Sequence, residues 1–163
     1  MTTKKIYLAG NLGFSELGKY SLEMVKTRLK SKFEVFDPFE INSSLGEKII
    51  SIEKETFRSM EEITNLLHEI NMQIGEKNMD LINDADILVA NLDGSDVDSG
   101  TAAEIGFAFA NGKTIIGYRG DFRNSGDNIG SKVNIQVEYF IFASGGNIYY
   151  SMEKLIEILD NFR

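Results

Sequence analysis

The sequence has 163 residues, 42% of them hydrophobic and 26% charged, which is typical of one globular domain spanning residues 1–163. The formal net charge of −8 argues against a nucleic-acid backbone or an anionic membrane as partner, and no apolar run is long enough to predict a membrane span. The lack of cysteine excludes disulfides and thiolate nucleophiles and fits a cytoplasmic protein. With His68 as the single histidine, no zinc site is expected, and carboxylates are the groups left for catalysis.

The first half of the chain is predicted to form two strands around a helix, followed by a long helical segment. Apolar patterning predicts a buried strand, an amphipathic helix and a second strand at residues 5–9, 14–32 and 33–36. Pro38, the only proline in the chain, ends the second strand. Residues 39–83 are predicted to be a mostly helical insertion that is interrupted near Gly75.

The second half of the chain is predicted to continue the alternation of strands and helices. The patterning predicts a third strand, a helix and a fourth strand at residues 86–92, 101–111 and 114–118. Residues 119–137 are rich in loop-forming residues. The short segments 137–142 and 147–150 both have a strand-like composition, and one of them is expected to be the fifth strand. A capped helix over residues 151–162 is predicted to end the chain.

This alternation predicts an α/β fold with one parallel sheet covered by helices on both faces. For five strands we expect the flavodoxin-like order 2-1-3-4-5. In that order a crevice opens between strands 1 and 3, at their carboxyl ends, and ligands bind there. The loops at this position are residues 10–13 and 93–100.

Two carboxylates, Asp98 and Glu104, lie between the third strand and the next helix. The positive end of the helix would favour an ionised Glu104, which could then act as a nucleophile. Thr101 and Glu104 also match a capping box, and Asp98 and Ser99 match turn or cap residues, so the local pattern fits a structural role equally well. The predicted crevice favours the catalytic role, and Gly100 would let a ligand approach the helix end closely.

Three further features near the crevice have two interpretations each. The loop 10–13 could bind a ligand with its backbone amides or form an ordinary strand-to-helix turn. Tyr7 is typical of a core residue, but its hydroxyl needs a partner that a carboxylate of strand 3 could provide. Arg119 and Arg123 follow strand 4, where we expect solvated loop charges rather than an anion site or a subunit contact.

Several sequence blocks, taken in order, resemble the nucleoside 2-deoxyribosyltransferase family. The most specific is Asp-Ser-Gly-Thr-Ala-Ala-Glu-Ile-Gly at residues 98–106. The other blocks are weak alone and stronger together, and they occupy residues 6–10, 12–14, 78–86, 117–123 and 133–136. The resemblance implies transfer of a 2-deoxyribosyl group between nucleobases by double displacement, without a cofactor or metal.

The resemblance also implies roles for three side chains. Glu104 matches the nucleophile that attacks the anomeric carbon, so that a covalent glycosyl-enzyme forms and the configuration is retained. Asp98 matches an acid that orients the substrate and passes protons to the leaving base. Tyr7 matches a tyrosine that donates a hydrogen bond to the nucleophile and orients it.

The remaining site residues implied by the resemblance bind the substrate. Gly10, Phe14 and Gly100 lie in matching blocks beside the crevice. Asn78 stands where several relatives have an aspartate that contacts the base, and Gln136 replaces an apolar residue of some members. Asn134, the sixth residue of this set, matches one that reaches the sugar in a neighbouring subunit's site, so a homo-oligomer of two or more subunits is expected.

Two other functions stay open. A hydrolase of the same superfamily would use Glu104 to cleave deoxynucleosides or deoxynucleoside 5′-monophosphates with water as acceptor. A non-catalytic nucleotide-binding module would need no nucleophile. A phospho-accepting receiver domain is excluded, because such a domain carries an acidic pair directly after strand 1 and this chain has none there.

Overall fold

The computed structural model describes residues 3–162 and confirms the predicted sheet. Five parallel strands are arranged in the order β2-β1-β3-β4-β5. Their bounds are Lys5–Ala9 (β1), Glu34–Phe36 (β2), Ile87–Asn91 (β3), Thr114–Tyr118 (β4) and Ile148–Tyr149 (β5). The register pairs Ala9 with Ala90, so β1 and β3 end side by side at the switch point of the sheet.

Seven helices are described, and they cover both faces of the sheet. Their bounds are Glu16–Lys30 (α1), Pro38–Ile41 (α2), Ser43–Glu53 (α3), Met60–Asp84 (α4), Ser99–Ala110 (α5), Ile135–Ala143 (α6) and Met152–Leu159 (α7). Helices α4, α5 and α6 pack on the face that carries Tyr7, Leu88 and Ala90. Helices α1 and α7 pack on the opposite face, against Ile6, Leu8 and Val89. Among residues 3–162, no helix is both long and apolar enough to cross a membrane.

The structure decides between the two segments predicted for the fifth strand and corrects the predicted break near Gly75. The fifth strand is Ile148–Tyr149, whereas the other strand-like segment, 137–142, belongs to helix α6. Val137 and Ile141 are one helical turn apart and both are buried, which places them in the core as a helix stripe. Helix α4 also continues through Gly75 without a break, because this exposed glycine only lowers helix propensity and does not end the helix.

Candidate active site

A pocket of about 470 Å³ lies at the carboxyl ends of β1 and β3, under α3 and α4. We call it the Glu104 pocket. It brings together six of the residues predicted from the sequence: Gly10, Phe14, Asn78, Asp98, Gly100 and Glu104. The crevice expected from the strand order is therefore present, and its lining comes from elements that are far apart in the chain.

Glu104 projects from the second turn of α5 and contacts the end of the sheet. The hydroxyl of Tyr7, a fully buried residue of β1, donates a hydrogen bond of 2.6 Å to Glu104 Oε1. No other side chain of the described residues donates to this carboxylate, so Oε2 has no protein partner. Asp98, not Thr101, is the N-cap of α5, and the predicted capping box between Thr101 and Glu104 is absent. Glu104 is thus free of the structural role that its sequence context also allowed.

The environment of Glu104 favours its neutral form. Burial raises the pKa of the Glu104 carboxyl to about 7, the hydrogen bond from Tyr7 opposes this rise, and the charge of nearby Asp98 adds to it. Desolvation therefore opposes the ionised form that the helix end was expected to favour. Burial and the neighbouring carboxylate also raise the pKa of Tyr7, which keeps its proton and remains a donor.

Asp98 is fixed at the start of α5 by Thr101. Its Oδ2 accepts hydrogen bonds from the backbone N–H of Thr101 at 3.0 Å and from the Thr101 hydroxyl at 3.1 Å. A Cβ atom at Gly100 would lie 3.2 Å from the same oxygen, so glycine leaves room for this arrangement. Asp98 and Glu104 line the same pocket.

The wall of the Glu104 pocket also contains residues that the sequence did not single out. Phe39 of α2 packs edge-on against Phe14 with 4.9 Å between the ring centroids. Asn42, between α2 and α3, donates a hydrogen bond of 3.0 Å from its side-chain nitrogen to the side-chain oxygen of Asn78. Phe39 follows Pro38 directly, and Asp37 caps the short helix α2 through a 2.9 Å bond from the Phe39 N–H. The Asp-Pro pair is the local signal that could have located this wall.

Asn134 and Gln136 do not line the Glu104 pocket. Asn134 is the N-cap of α6, and its side-chain oxygen accepts from the backbone N–H groups of Gln136 and Val137 at 3.0 and 3.4 Å. A contact of Asn134 with the site of a second subunit remains a prediction. Within residues 3–162, no group of three or more His, Cys, Asp or Glu side chains is arranged to hold a metal ion.

Arg119 differs most from its prediction. It was expected to be solvated, but it is 1% exposed and its guanidinium donates to three backbone carbonyls. These belong to Leu92 and Gly94 in the loop that leads to Asp98, and to Arg123 in its own loop. Arg123 does have a solvated side chain, and it pairs with Asp121.

Comparison with solved structures agrees with the fold. The structure superposes on a conserved protein from Enterococcus faecalis V583, with a TM-score of 0.67, 23% identity and coverage of 99% of this chain and 100% of the other. It is also similar to a 2-deoxyribosyltransferase from Leishmania mexicana, with a TM-score of 0.62, 22% identity and coverage of 93% of each chain. A CMP N-glycosidase from Clostridium botulinum gives a TM-score of 0.57 and 22% identity, with coverage of 98% of this chain and 100% of the other.

At these identities the superpositions establish only the fold. The family of the chain is established by its sequence. No curated protein sequence matches the chain. The family model for nucleoside 2-deoxyribosyltransferase, however, matches residues 6–136, which is well over half of the chain and includes every residue of the Glu104 pocket. The chain therefore belongs to the nucleoside 2-deoxyribosyltransferase family.

Proposed function

We propose that this protein transfers a 2-deoxyribosyl group from one nucleobase to another through a covalent intermediate on Glu104. The observation that supports this most is the pairing of a buried Tyr7 hydroxyl with one oxygen of a carboxylate that lines the pocket. A nucleophile needs an orienting partner and one free reacting atom. Tyr7 supplies the first, and Oε2 of Glu104 is the second.

The proposed reaction has two displacements. In the first, Oε2 of ionised Glu104 forms a bond to the anomeric carbon while the carbon–nitrogen bond breaks. The departing base keeps the electron pair of that bond and takes a proton that Asp98 passes on from solvent. In the second, a nitrogen of the incoming base attacks the same carbon, its proton passes through Asp98 to solvent, and the bond between the carbon and Oε2 breaks, so that the Glu104 carboxylate is regenerated. Two inversions retain the configuration of the sugar.

Both acids also stabilise the state through which each displacement passes. Cleavage of the glycosidic bond develops positive charge on the sugar ring. A largely buried carboxylate such as that of Glu104 interacts with such a charge more strongly than it would in bulk solvent. The aromatic wall of Phe14 and Phe39 offers the departing base a stacking surface in the same pocket.

The charge of the lining favours nucleosides over their phosphates as substrates. Asp98 and Glu104 are the charged residues in the lining, and no lysine or arginine belongs to it. The N-terminus of α5, where an anion would otherwise bind, is already occupied by the Asp98 carboxylate through its bonds to Thr101. A 5′-phosphate would therefore meet two negative groups and no cation of the pocket lining.

Hydrolysis is the second candidate function, because the fold is shared with a protein described as a CMP N-glycosidase. Water would then replace the second base in the attack on the glycosyl-Glu104 intermediate. The two functions differ in how the products depend on an added base. A transferase forms a new nucleoside when a second base is present, whereas a hydrolase releases free deoxyribose at the same rate with or without it.

Mass spectrometry of the intact protein tests the nucleophile. The protein is incubated with a slow 2-fluoro-2-deoxy nucleoside, and peptide mapping then locates the adduct. We expect one sugar adduct per chain, on Glu104, and none in Glu104→Gln. Glu76→Gln, on the exposed surface of α4, is the matched control and should still react. An adduct elsewhere, or full turnover by Glu104→Gln, would refute the proposal.

A further inference from the structure

A second pocket lies on the other face of the sheet, away from Glu104. It has a volume of about 320 Å³ and opens at the carboxyl ends of β1 and β3, between α1 and α7. Its walls are mainly apolar and include Leu8, Leu22, Val25, Met152 and Leu155. Open α/β sheets bind ligands at this edge, next to the switch point between strands. The pocket therefore has the position of a ligand site. It shares no lining residue with the Glu104 pocket, although Leu12 and Asp93 come from the two loops that also border that pocket.

The polar residue of interest in this pocket is Asn91, the last residue of β3. Its side-chain oxygen and nitrogen are both buried, and neither has a hydrogen-bond partner among residues 3–162. Buried polar atoms in folded proteins are nearly always hydrogen-bonded, so a carboxamide unpaired at both ends indicates that a partner from outside the chain completes it. We call this cleft the Asn91 pocket.

The other polar groups restrict the charge of a ligand. Arg28 brings a positive charge to the lining, and Asp93 and Glu153 bring negative ones. Arg28 and Glu153 are exposed side chains at the rim, whereas Asp93 is half-buried and its Oδ1 accepts a 2.8 Å hydrogen bond from the backbone N–H of Asp121. An anion would thus meet Asp93 without a buried cation, and any charged compound would have to leave water for a mainly apolar wall, which is unfavourable.

We propose that the Asn91 pocket is a second, non-catalytic binding site for an uncharged flat ring that carries a donor and an acceptor side by side. A carboxamide offers the complementary acceptor and donor, as in the bidentate pairing of asparagine with the N6 and N7 atoms of adenine. The apolar side chains of α1 and α7 provide surfaces for the two faces of the ring. We choose nucleobases among such rings because of the proposed function. The preference of the pocket for an uncharged flat ring does not depend on that function.

The test must separate this pocket from the Glu104 pocket. Gly46 of α3 lines the Glu104 pocket, and a Cβ atom there would have no heavy atom within 4 Å. Gly46→Trp should therefore fill that pocket while α3 is kept. Calorimetric titration of this variant with adenine, hypoxanthine and uracil then reports the Asn91 pocket alone. Asn91→Leu and Asn91→Asp are added separately in the Gly46→Trp background, and Asn161→Leu on the exposed C-terminal turn is the control.

We expect Gly46→Trp to bind one adenine per chain. Asn91→Leu should weaken this binding at least tenfold because both hydrogen bonds are lost, and Asn91→Asp should weaken it because a carboxylate cannot donate to N7. Asn161→Leu should leave it unchanged. The proposal is overturned if none of the three bases binds, if both folded Asn91 variants bind as before, or if crystals of Gly46→Trp grown with adenine show only water at Asn91. Binding requires no turnover, so failure of the proposed reaction and failure of this site are observed independently.

Discussion

The hydrogen bond from Tyr7 to Glu104 makes a quantitative prediction about the pH dependence of the reaction. Tyr7→Phe removes a donor that stabilises the ionised carboxylate, and leaves the burial of Glu104 nearly unchanged. The pKa of Glu104 should therefore rise above its wild-type value of about 7. A hydrogen bond to a charged group is worth about 1.5–3 kcal/mol, and about 1.4 kcal/mol corresponds to one pH unit, so the shift is about 1 to 2 pH units.

The assay is the pH profile of kcat/KM for deoxyribosyl transfer, because its acid limb reports the ionisation of the free enzyme's base. For the wild type we expect activity to fall below about pH 7, as Glu104 becomes protonated. For Tyr7→Phe the limb should lie about 1 to 2 pH units higher, which lowers the ionised fraction at pH 7 by about 5- to 50-fold. Raising the pH should recover most of this loss. Tyr7 cannot produce the limb itself, since its own pKa is raised by burial and by Glu104.

Two results would refute this reasoning. If the limb of Tyr7→Phe coincides with that of the wild type and activity is lower at every pH, Tyr7 positions Glu104 without changing its ionisation. If the limb moves to lower pH, the hydroxyl does not stabilise the carboxylate at all. Circular dichroism and thermal unfolding at each pH exclude a loss of fold as the cause of either result.

Three further predictions concern stability. The folded-state pKa of Glu104 is raised to about 7, so the wild type should lose stability as pH increases from about 4.5 to 7. Glu104→Gln, measured by urea unfolding, should be more stable than the wild type by about 3 kcal/mol at pH 8.5 and equally stable at pH 4. Arg119→Met should lower the free energy of unfolding by about 2–4 kcal/mol and also lower kcat/KM, because three backbone carbonyls lose their donor. The exposed control Arg123→Met should change the free energy of unfolding by less than about 1 kcal/mol. Equal effects of the two substitutions would contradict the role given to Arg119. Gly10→Ala should destabilise the fold, since Gly10 has φ 155° and a Cβ atom there would lie 2.9 Å from that of Asn91; a thermal midpoint equal to the wild type would count against this strain.

The sheet and the pocket at its switch point could be predicted because they follow from periodicity. Apolar runs of strand length alternating with helical patterns require a parallel sheet, and the strand order then fixes the crevice. The family blocks supplied the identity of Glu104, Asp98 and Tyr7, and the structure brings these side chains together. Composition pointed to the same residues, since a chain without cysteine leaves few groups other than carboxylates for catalysis.

Arg119 and the segment 137–142 could not be predicted for a different reason, because both depend on contacts between distant parts of the chain. Nothing local distinguishes Arg119 from a solvated arginine, since its carbonyl partners Leu92 and Gly94 precede it by 27 and 25 residues. Asp98 and Thr101 are both good helix caps, and the choice of Asp98 moved Glu104 from the first turn to the second. The short apolar segment 137–142 fits a strand or a buried helix equally well, and only its packing decides.

The resting site is electrostatically unfavourable, and under the proposed reaction this has a purpose. Glu104 is largely buried beside Asp98, and no cation belongs to the pocket lining. Ionising Glu104 therefore costs free energy in the empty enzyme. This cost is offset only when the sugar of the substrate becomes positively charged and interacts with the carboxylate. The lining contains no cation that would stabilise the resting carboxylate, but the carboxylate does stabilise a positively charged sugar. The pocket therefore binds the transition state of glycosidic cleavage more tightly than the neutral nucleoside. The same reasoning requires Glu104→Gln to be at once more stable and nearly inactive, because both effects come from removing one charge.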